Sequence, residues 1–356
     1  MSLRAWWKVC LAQLLMLSAA LAAVPEGYPA DYAAVVQAAR REGRVVVYAS
    51  TDAQVAQPLI DDFQALYPGV QVQYHEADTL SIYQRFLQEK RPGMDVLWSS
   101  AMDLQMKLVN DGHALSYASP ERSYLPAWAV WRSEAYGTTM EPVGFAYDKQ
   151  RLAANEVPRT HADFIRLLRA EPKRFQGRVA TYDLENSGLG LLIATQDAKA
   201  SPMLWDLGQA LGRLQVRQMT STAAMLDSVA SGDSLLAYNV LGSYAAEKLR
   251  AHPSLAIAYP SDYTLAASRI AFISKRAAHP NAARLWLDYL LSQRGQRVLA
   301  DQAGLFAVRG DVPNDTLPRD ALRPIGMGPS LILYIDRNRR QEFLQRWRDA
   351  LRAPAP

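Results

Sequence analysis

Cysteine is almost absent from this sequence: Cys10 is the only one among 356 residues. A single cysteine excludes an intramolecular disulfide, a cysteine-based zinc site and an iron–sulfur cluster. A surplus of one charge is also absent. The chain has 39 Lys and Arg against 35 Asp and Glu, which argues against a nucleic-acid binder with a basic surface. The folded chain must therefore draw its stability from an apolar core.

Short catalytic motifs are absent as well. The sequence contains no G-x-S-x-G, no Walker A loop, no H-E-x-x-H and no complete G-x-G-x-x-G, of which Gly188-Leu189-Gly190 is a fragment. The five histidines are dispersed, and none pairs with another at metal-ligand spacing: His75, His113, His161, His252 and His279. We therefore expect no catalytic residue, no metal site and no cofactor.

The first 23 residues have the pattern of a secretory signal peptide. Arg4 and Lys8 supply a positive start, residues 9–21 are mostly apolar, and residues 20–22 (ALA) are typical of a cleavage site. The alternative, a transmembrane anchor, needs about 20 apolar residues, and this run is shorter. We predict a signal peptide over 1–23 and an exported, periplasmic mature protein.

Strand patterns and helix patterns alternate along the rest of the chain. Residues 44–52, RVVVYASTD, form a β-branched run that ends in a polar loop, and apolar residues from Leu59 to Leu66 then recur at helical spacing. Further strands are predicted at 70–74, 95–98, 141–147, 179–182, 235–240, 255–259 and 264–273. This alternation predicts an α/β fold with mostly parallel sheets, and the length suits about two domains.

Hydroxyl side chains stand between predicted strands and the helices that follow them. They occur at Ser50-Thr51-Asp52, Ser99-Ser100, Ser187-Gly188 and Thr220-Ser221. Ligands of open α/β sheets bind at the carboxyl ends of strands, where helix N-termini favour anions. Each hydroxyl has an alternative role as a cap of its own helix. Because the pattern recurs in both halves, we predict a shared anion-binding cleft, to which Glu141, Tyr238, Asn239 and Tyr263 are added as candidates.

The order of several segments resembles a known family. These segments are VVVYASTD, PLIDDFQALYPGVQVQY, DVLWSSAMDLQMKLVNDG, GFAYDKQRL, SGDSLLAYNVLGSY and HPNAARLWLDYLLSQRGQRVLA. They resemble the type II periplasmic solute-binding proteins of bacterial ABC importers, in the branch named for ferric iron whose relatives bind sugar phosphates, phosphoglycerate and phosphonates. The resemblance implies two α/β lobes, joined by two hinge strands, that close on a ligand like a Venus flytrap, without catalysis.

The resemblance also implies a division of the chain and a set of partners. Lobe 1 is expected to comprise 24–142 and 260–305, lobe 2 to comprise 143–259, and a C-terminal helical segment, 306–356, to pack on both. The expected partners are a small-molecule solute and a membrane permease. A periplasmic sensor that signals to a membrane histidine kinase is the alternative from another class. We expect a monomer that binds no nucleic acid.

The chain departs from the iron binders of that branch at one place. Those proteins carry two adjacent tyrosines near the return to the first lobe, whereas residues 236–244 (LAYNVLGSY) contain no such pair. A hard cation also prefers several anionic oxygens, and no carboxylate accompanies Tyr238 and Asn239 here. We therefore predict a small polar, anionic solute, phosphorylated or carboxylated. Ferric iron remains an alternative ligand.

Overall fold

The computed structural model describes residues 24–25, 27–89, 93–243, 248, 251–313 and 319–352. The predicted signal peptide lies outside these residues. Helices of the described part are α1 Tyr32–Glu42, α2 Ala53–Leu66, α3 Thr79–Gln88, α4 Met102–Asn110, α5 His161–Ala170, α6 Pro172–Phe175, α7 Gly188–Ala200, α8 Met203–Arg213, α9 Thr222–Ser231, α10 Pro280–Leu291, α11 Gln293–Asp301 and α12 Arg337–Arg352. Within this part, no helix has both the length and the apolar character to cross a membrane.

The described strands form two sheets, as an α/β protein with two lobes requires. The first sheet has the order β2-β1-β3-β12-β5-β4 and the second the order β13-β11-β6-β9-β7-β8, with β10 paired to β6. The strands are β1 Arg44–Ala49, β2 Gln71–Glu76, β3 Val96–Ser99, β4 Val130–Trp131, β5 Ala135–Gly137, β6 Glu141–Asp148, β7 Val179–Tyr182, β8 Arg217–Met219, β9 Leu236–Leu241, β10 Leu255–Ala258, β11 Thr264–Ala267, β12 Ile270–Ile273 and β13 Leu322–Pro324. The predicted two-lobed α/β fold is confirmed. The prediction of mostly parallel sheets is wrong, because among the described strands five pairings are parallel and six are antiparallel.

Helices cover both faces of the first sheet, which explains the unbroken apolar run of β1. Val45 and Val47 belong to one apolar cluster, with Phe63 of α2 and Trp286 of α10. The intervening residue Val46 belongs to the other cluster, which includes residues of α3 and α4. Since alternate side chains of a strand point to opposite faces, both faces of β1 must be apolar.

The chain passes from the first sheet to the second and back along two neighbouring hinge strands. It leaves β5 and begins β6 at Glu141, and it returns between β11 and β12 through Ser268 and Arg269. The two passages are bonded to each other, since the Thr138 amide donates to the Arg269 carbonyl at 2.9 Å. The expected lobe boundaries lie between residues 142 and 143 and between residues 259 and 260. They remain a prediction, because they concern which residues move together as one lobe.

A third passage leads toward the C-terminal helix. The Met140 amide donates to the Phe306 carbonyl at 2.9 Å, so the segment after α11 runs beside the first hinge strand. It then pairs β13 with β11 of the second sheet and forms a 3-10 helix, Pro329–Ile335, that contacts α4. Helix α12 finally packs on α8.

The close approach of α12 and α8 depends on Gly212. A methyl group built at Gly212 would lie 1.9 Å from the Leu351 carbonyl oxygen, so α12 leaves no room for any side chain there. One turn earlier, a methyl group built at Gly208 would make a tight contact, 3.0 Å from the side chains of Ala350 and Trp347. Small residues four positions apart thus form the groove that receives the last helix.

One predicted strand differs from the structure. The apolar stretch 264–273 is two strands, β11 and β12, which belong to different sheets. Ser268 and Arg269 separate them, and they are the only strongly polar residues inside the stretch after Thr264. Hydrophobic pattern alone does not show that a strand changes sheets, because both halves are equally buried.

Candidate functional site

The candidate residues of the first lobe meet at one edge of its sheet. Strands β1 and β3 are parallel neighbours, so their carboxyl ends lie side by side. The Ser100 amide donates to Ser50 Oγ at 3.0 Å, and the Oγ atoms of these two serines are 3.3 Å apart. The structure therefore brings Ser50 and Ser100 together, as the sequence predicts.

The remaining first-lobe candidates differ in what they offer to a ligand. Thr51 is buried, its carbonyl accepts the Tyr74 hydroxyl at 2.6 Å, and its Oγ1 accepts from Arg269 Nη1 at 2.9 Å. Ser99 is also buried, and its Oγ accepts the Ala101 amide at 3.3 Å. Asp52 is exposed directly before α2. Helices α2 and α4 both begin without a side-chain cap, so Ser100 is not the cap of α4.

The second-lobe serines act as helix caps. Ser187 Oγ accepts the Gly190 amide and Ser221 Oγ accepts the Ala224 amide, each at 3.1 Å. The alternative role is thus confirmed at these two positions. A serine that accepts a bond at Oγ still has its hydroxyl proton to donate, so capping does not exclude ligand contact.

The two capped helices begin close together. Strands β7 and β8 are parallel neighbours, and the Asp183 amide, just past β7, donates to the Met219 carbonyl at 2.8 Å. Gly188 and Thr220, which flank the capping residues, are exposed. The carboxyl edge of the second sheet therefore presents two adjacent helix N-termini, as predicted.

Three other candidates lie in the interior of the second lobe around Asp197, which is fully buried on α7. The Tyr263 hydroxyl donates to Asp197 Oδ1 at 2.6 Å. The Tyr238 hydroxyl and, at 3.0 Å, the Asn239 amide nitrogen donate to Oδ2. His161 stacks on Tyr263 with ring centroids 4.0 Å apart. These contacts give Tyr238, Asn239 and Tyr263 a structural partner within the chain.

The local backbone and charge agree with an interior role for these residues. Asn239 has φ of 65°, a left-handed conformation that asparagine tolerates, where the pairing of β6 and β9 shifts register. Burial and the nearby charge of Asp197 raise the pKa of Tyr238 well above its usual value. No motif marked Asp197, which follows the apolar run of α7.

Glu141 lies at the hinge in an ion pair. Its Oε1 is 2.9 Å from Arg269 Nε, and both side chains are at most 3% exposed. The Thr139 hydroxyl donates to the same oxygen at 2.8 Å, and the Ser243 hydroxyl donates to Oε2. Sequence reasoning identified Glu141 but missed Arg269, although an arginine inside an apolar strand pattern is the signal that points to it.

Together, the described residues form two hydroxyl-bearing edges, one on each lobe, with a neutralised ion pair at the hinge between them. Backbone N–H groups at helix starts and serine hydroxyls are hydrogen-bond donors, so such edges suit a polar or anionic molecule. Across the part of the chain that is described, no group of three or more His, Cys, Asp or Glu is arranged to hold a metal ion.

Comparisons with known proteins place the chain in a family. The family described as bacterial extracellular solute-binding protein matches residues 118–327. A solved structure, the substrate binding protein of the ABC transporter from Agrobacterium tumefaciens, is 37% identical, with a TM-score of 0.78 over 87% of this chain and 94% of that one. No curated protein matches the chain significantly.

More distant structures share the fold. Iron-bound HitA from Pseudomonas aeruginosa is 17% identical, with a TM-score of 0.67 over 86% of this chain and 99% of its own. The periplasmic binding protein AfuA from Actinobacillus pleuropneumoniae, with fructose-6-phosphate bound, is 18% identical, with a TM-score of 0.67 over 88% and 99%. The family match covers more than half of the sequence and the Agrobacterium protein matches nearly all of it, so this chain belongs to the bacterial extracellular solute-binding proteins.

Proposed function

We propose that the chain is the periplasmic solute-binding component of an ABC importer and delivers its solute to a membrane permease. The 37% identical Agrobacterium protein is described as the substrate binding protein of an ABC transporter, and the likeness extends over 87% of the present chain. The signal-peptide pattern of residues 1–23 supports export. The absence of the catalytic motifs sought in the sequence supports binding without turnover.

We further propose that the solute is small, polar and anionic and is held between the lobes. The observation that carries this proposal is the placing of helix starts at both carboxyl edges: α2 and α4 on the first lobe, α7 and α9 on the second. Each N-terminus favours an anion by roughly 0.3–1 kcal/mol, and more when partly buried. Several such termini acting on one phosphate or carboxylate add up to a useful affinity.

The hinge ion pair bears on how that anion is held. Arg269, the positive side chain that bonds to Thr51, is already neutralised by Glu141 at 2.9 Å, so its charge is not available to the solute. The anion is therefore expected to rely on hydroxyl and backbone donors, chiefly Ser50, Ser100, Ser187 and Ser221. This arrangement favours a solute with a compact anionic group and further hydroxyls, such as a sugar phosphate.

Ferric iron is the less favoured solute. Tyr238, which lies in the segment that lacks the adjacent tyrosine pair of the iron binders, is buried inside the second lobe and donates to Asp197. Distant neighbours include both an iron-bound protein and one bound to fructose-6-phosphate, so the shared fold does not choose between them. The choice of an anion rests on the two edges described above.

The proposed mechanism is closure of the lobes on the solute. A ligand that contacts Ser50 and Ser100 on one side and Ser187 and Ser221 on the other stabilises the closed form by its greater affinity for that form. The permease then recognises the closed protein. In this mechanism the flexible element is the pair of hinge strands, with passages at 138–140 and 268–269.

The test is native mass spectrometry of the protein purified from its own periplasm, followed by calorimetric titration with the molecule that co-purifies. A phosphorylated or carboxylated solute that binds again in the titration is the expected result. Stoichiometric ferric iron with a tyrosinate charge-transfer band, or a cationic solute, would overturn the anion proposal. Turnover of the bound solute would overturn the binding-protein proposal itself.

A further inference from the structure

A buried series of polar contacts crosses the hinge between the two lobes. Arg269 lies at the passage from β11 to β12, and Glu141 begins β6, so each stands on a different hinge strand. Their side chains are 3% and 1% exposed. A charge so far from water is tolerated only when it is paired, which ties the two strands to one relative position.

Each member of this ion pair is also bonded to a residue at a sheet edge of its own lobe. Arg269 Nη1 donates to Thr51 Oγ1 at 2.9 Å, and Thr51 follows β1 of the first sheet. Ser243 donates to Glu141 Oε2, and Ser243 follows β9 of the second sheet. The contacts therefore run from Thr51 through Arg269 and Glu141 to Ser243, from one lobe to the other.

This series reaches the proposed solute edge directly. Thr51 is the neighbour of Ser50, whose Oγ contacts Ser100 at the first-lobe edge. When one lobe rotates against the other about the hinge strands, Thr51 and Ser243 must be displaced relative to each other, while the ion pair resists that displacement. Domain closure is known to be governed by a few residues at such passages.

We propose that Arg269 and Glu141 are positioning residues that set the orientation of the two lobes in the solute-free protein, and thereby the solute affinity. The inference rests on the proposed function, since orientation affects affinity only if the solute is held between the lobes. A protein with a smaller fraction of molecules in the binding-competent orientation has an apparent affinity reduced by that fraction.

The experiment keeps the ion pair intact and removes the two bonds that anchor it. Thr51→Val and Ser243→Ala each delete one hydroxyl, singly and together, without leaving an unpaired buried charge. Spin labels are attached at Gln54→Cys on α2 and Ala223→Cys on α9, both exposed, in the protein without residues 1–23, which contains no other cysteine. Pulsed electron paramagnetic resonance then measures the distance between the lobes without solute.

Matched controls lose a buried hydroxyl bond within the second lobe alone. Thr195→Val removes a bond from Oγ1 to the Leu192 carbonyl at 2.8 Å, and Ser228→Ala removes one to Ser234 Oγ at 2.7 Å. Thermal unfolding of all variants shows that they are folded. Thr51→Ser, which keeps the hydroxyl, serves as the rescue.

We expect Thr51→Val and Ser243→Ala to shift and broaden the interlobe distance distribution, and the double variant to do so further, while the controls and Thr51→Ser keep the parent distribution. If the Thr51 and Ser243 variants also coincide with the parent, the ion pair only fills the hinge and the inference is wrong. The distance measurement requires no solute. It therefore tests this inference even if the proposed solute is wrong.

Discussion

At the edge of the first lobe, helices α2 and α4 begin without a side-chain cap, whereas α7 and α9 of the second lobe each begin at a capping serine. The sequence shows hydroxyl residues at all of these places. On the first lobe, Ser50 and Ser100 bond to each other's strand end. On the second, Ser187 and Ser221 bond to their own helices. One sequence signature therefore serves two kinds of contact.

The difference predicts that the lobes contribute unequally to folding and to binding. A capping serine stabilises the protein whether or not solute is present. Serines that join two strand ends add less to helix stability, and the first amide of α2, that of Ala53, donates instead to Glu76 Oε2 at 2.8 Å. We expect second-lobe substitutions to act on stability and affinity together, and first-lobe substitutions to act mainly on affinity.

The largest effect is expected where the two lobes meet. Arg269→Met leaves the Glu141 carboxylate buried without its cation, which costs about 3–5 kcal/mol in free energy of unfolding. The double variant Arg269→Met, Glu141→Leu removes both charges and is expected to recover most of that loss. Urea unfolding of the three proteins makes the comparison. A double variant as unstable as Arg269→Met would show that shape, and not charge, fixes the hinge.

The next effect compares the buried carboxylates of the lobes. Asp288 on α10 of the first lobe accepts the Tyr32 hydroxyl at 2.7 Å and the Tyr117 hydroxyl at 2.6 Å. Burial raises the pKa of Asp288 to about 7, although these hydrogen bonds oppose the shift. The folded state thus keeps a proton that the unfolded state has released, so stability falls as pH rises from the unfolded pKa of 3.8 through 7.

Asp288→Asn should remove this pH dependence. Between about pH 4 and about pH 7, the free energy of unfolding falls in both proteins. We expect the fall to be roughly 3–4 kcal/mol smaller in the variant than in the parent. The measurement is denaturant unfolding at both pH values. Asp197→Asn in the second lobe is the matched control, because it removes a buried carboxylate but leaves Asp288 in place. Equal pH slopes for parent and Asp288→Asn would contradict the assignment.

A smaller effect is expected from the second-lobe caps. Ser221→Ala and Ser187→Ala should each lower the unfolding free energy of the solute-free protein by about 1 kcal/mol, because an N-terminal amide loses its acceptor. If the same hydroxyl also donates to the solute, binding weakens by about 1.5–3 kcal/mol for a charged partner. Both quantities are needed for each variant. Reduced stability with unchanged affinity would restrict these serines to capping.

The smallest change in stability is expected at the first-lobe edge. Ser100→Ala removes the contact between the hydroxyls of Ser50 and Ser100 but keeps the bond from the Ser100 amide to Ser50 Oγ. We expect a loss of unfolding free energy at the low end of the 0.5–1.5 kcal/mol that is typical of a hydrogen bond, with a clear loss of solute affinity. A stability loss equal to that of Ser221→Ala would remove the contrast between the lobes.

Sequence patterns predict much of this fold because its strands and helices are strongly apolar on defined faces. The strand of β1 and the helix of α4 follow directly from such patterns. Short edge strands such as β8, Arg217–Met219, are mostly exposed, so they have no hydrophobic pattern from which a strand could be predicted. The change of sheet at Ser268 and Arg269 was missed for the opposite reason, since the flanking residues are all buried.

The candidate site was predicted unevenly for a related reason. Hydroxyls after parallel strands must gather at one edge, so Ser50 with Ser100 follows from local order alone. The partners of Glu141, Tyr238 and Tyr263 are distant in sequence: Arg269 is 128 residues from Glu141, and Asp197 is 41 residues from Tyr238. No local pattern links such pairs, and a buried polar residue in a sequence does not reveal whether it faces a ligand or a neighbour.

The docking of the last helix has a consequence for the order in which the protein is assembled. The second lobe begins at β6, near residue 141, yet its α8 surface receives α12 only when residues 337–352 have been made. Until then Gly208, Gly212 and the ring of Trp205 lack the cover that Trp347, Leu351 and Phe343 provide. A chain made N-terminus first therefore cannot complete the packing of its second lobe until α12 has been made, and a chain interrupted before residue 337 leaves the α8 surface open to proteases.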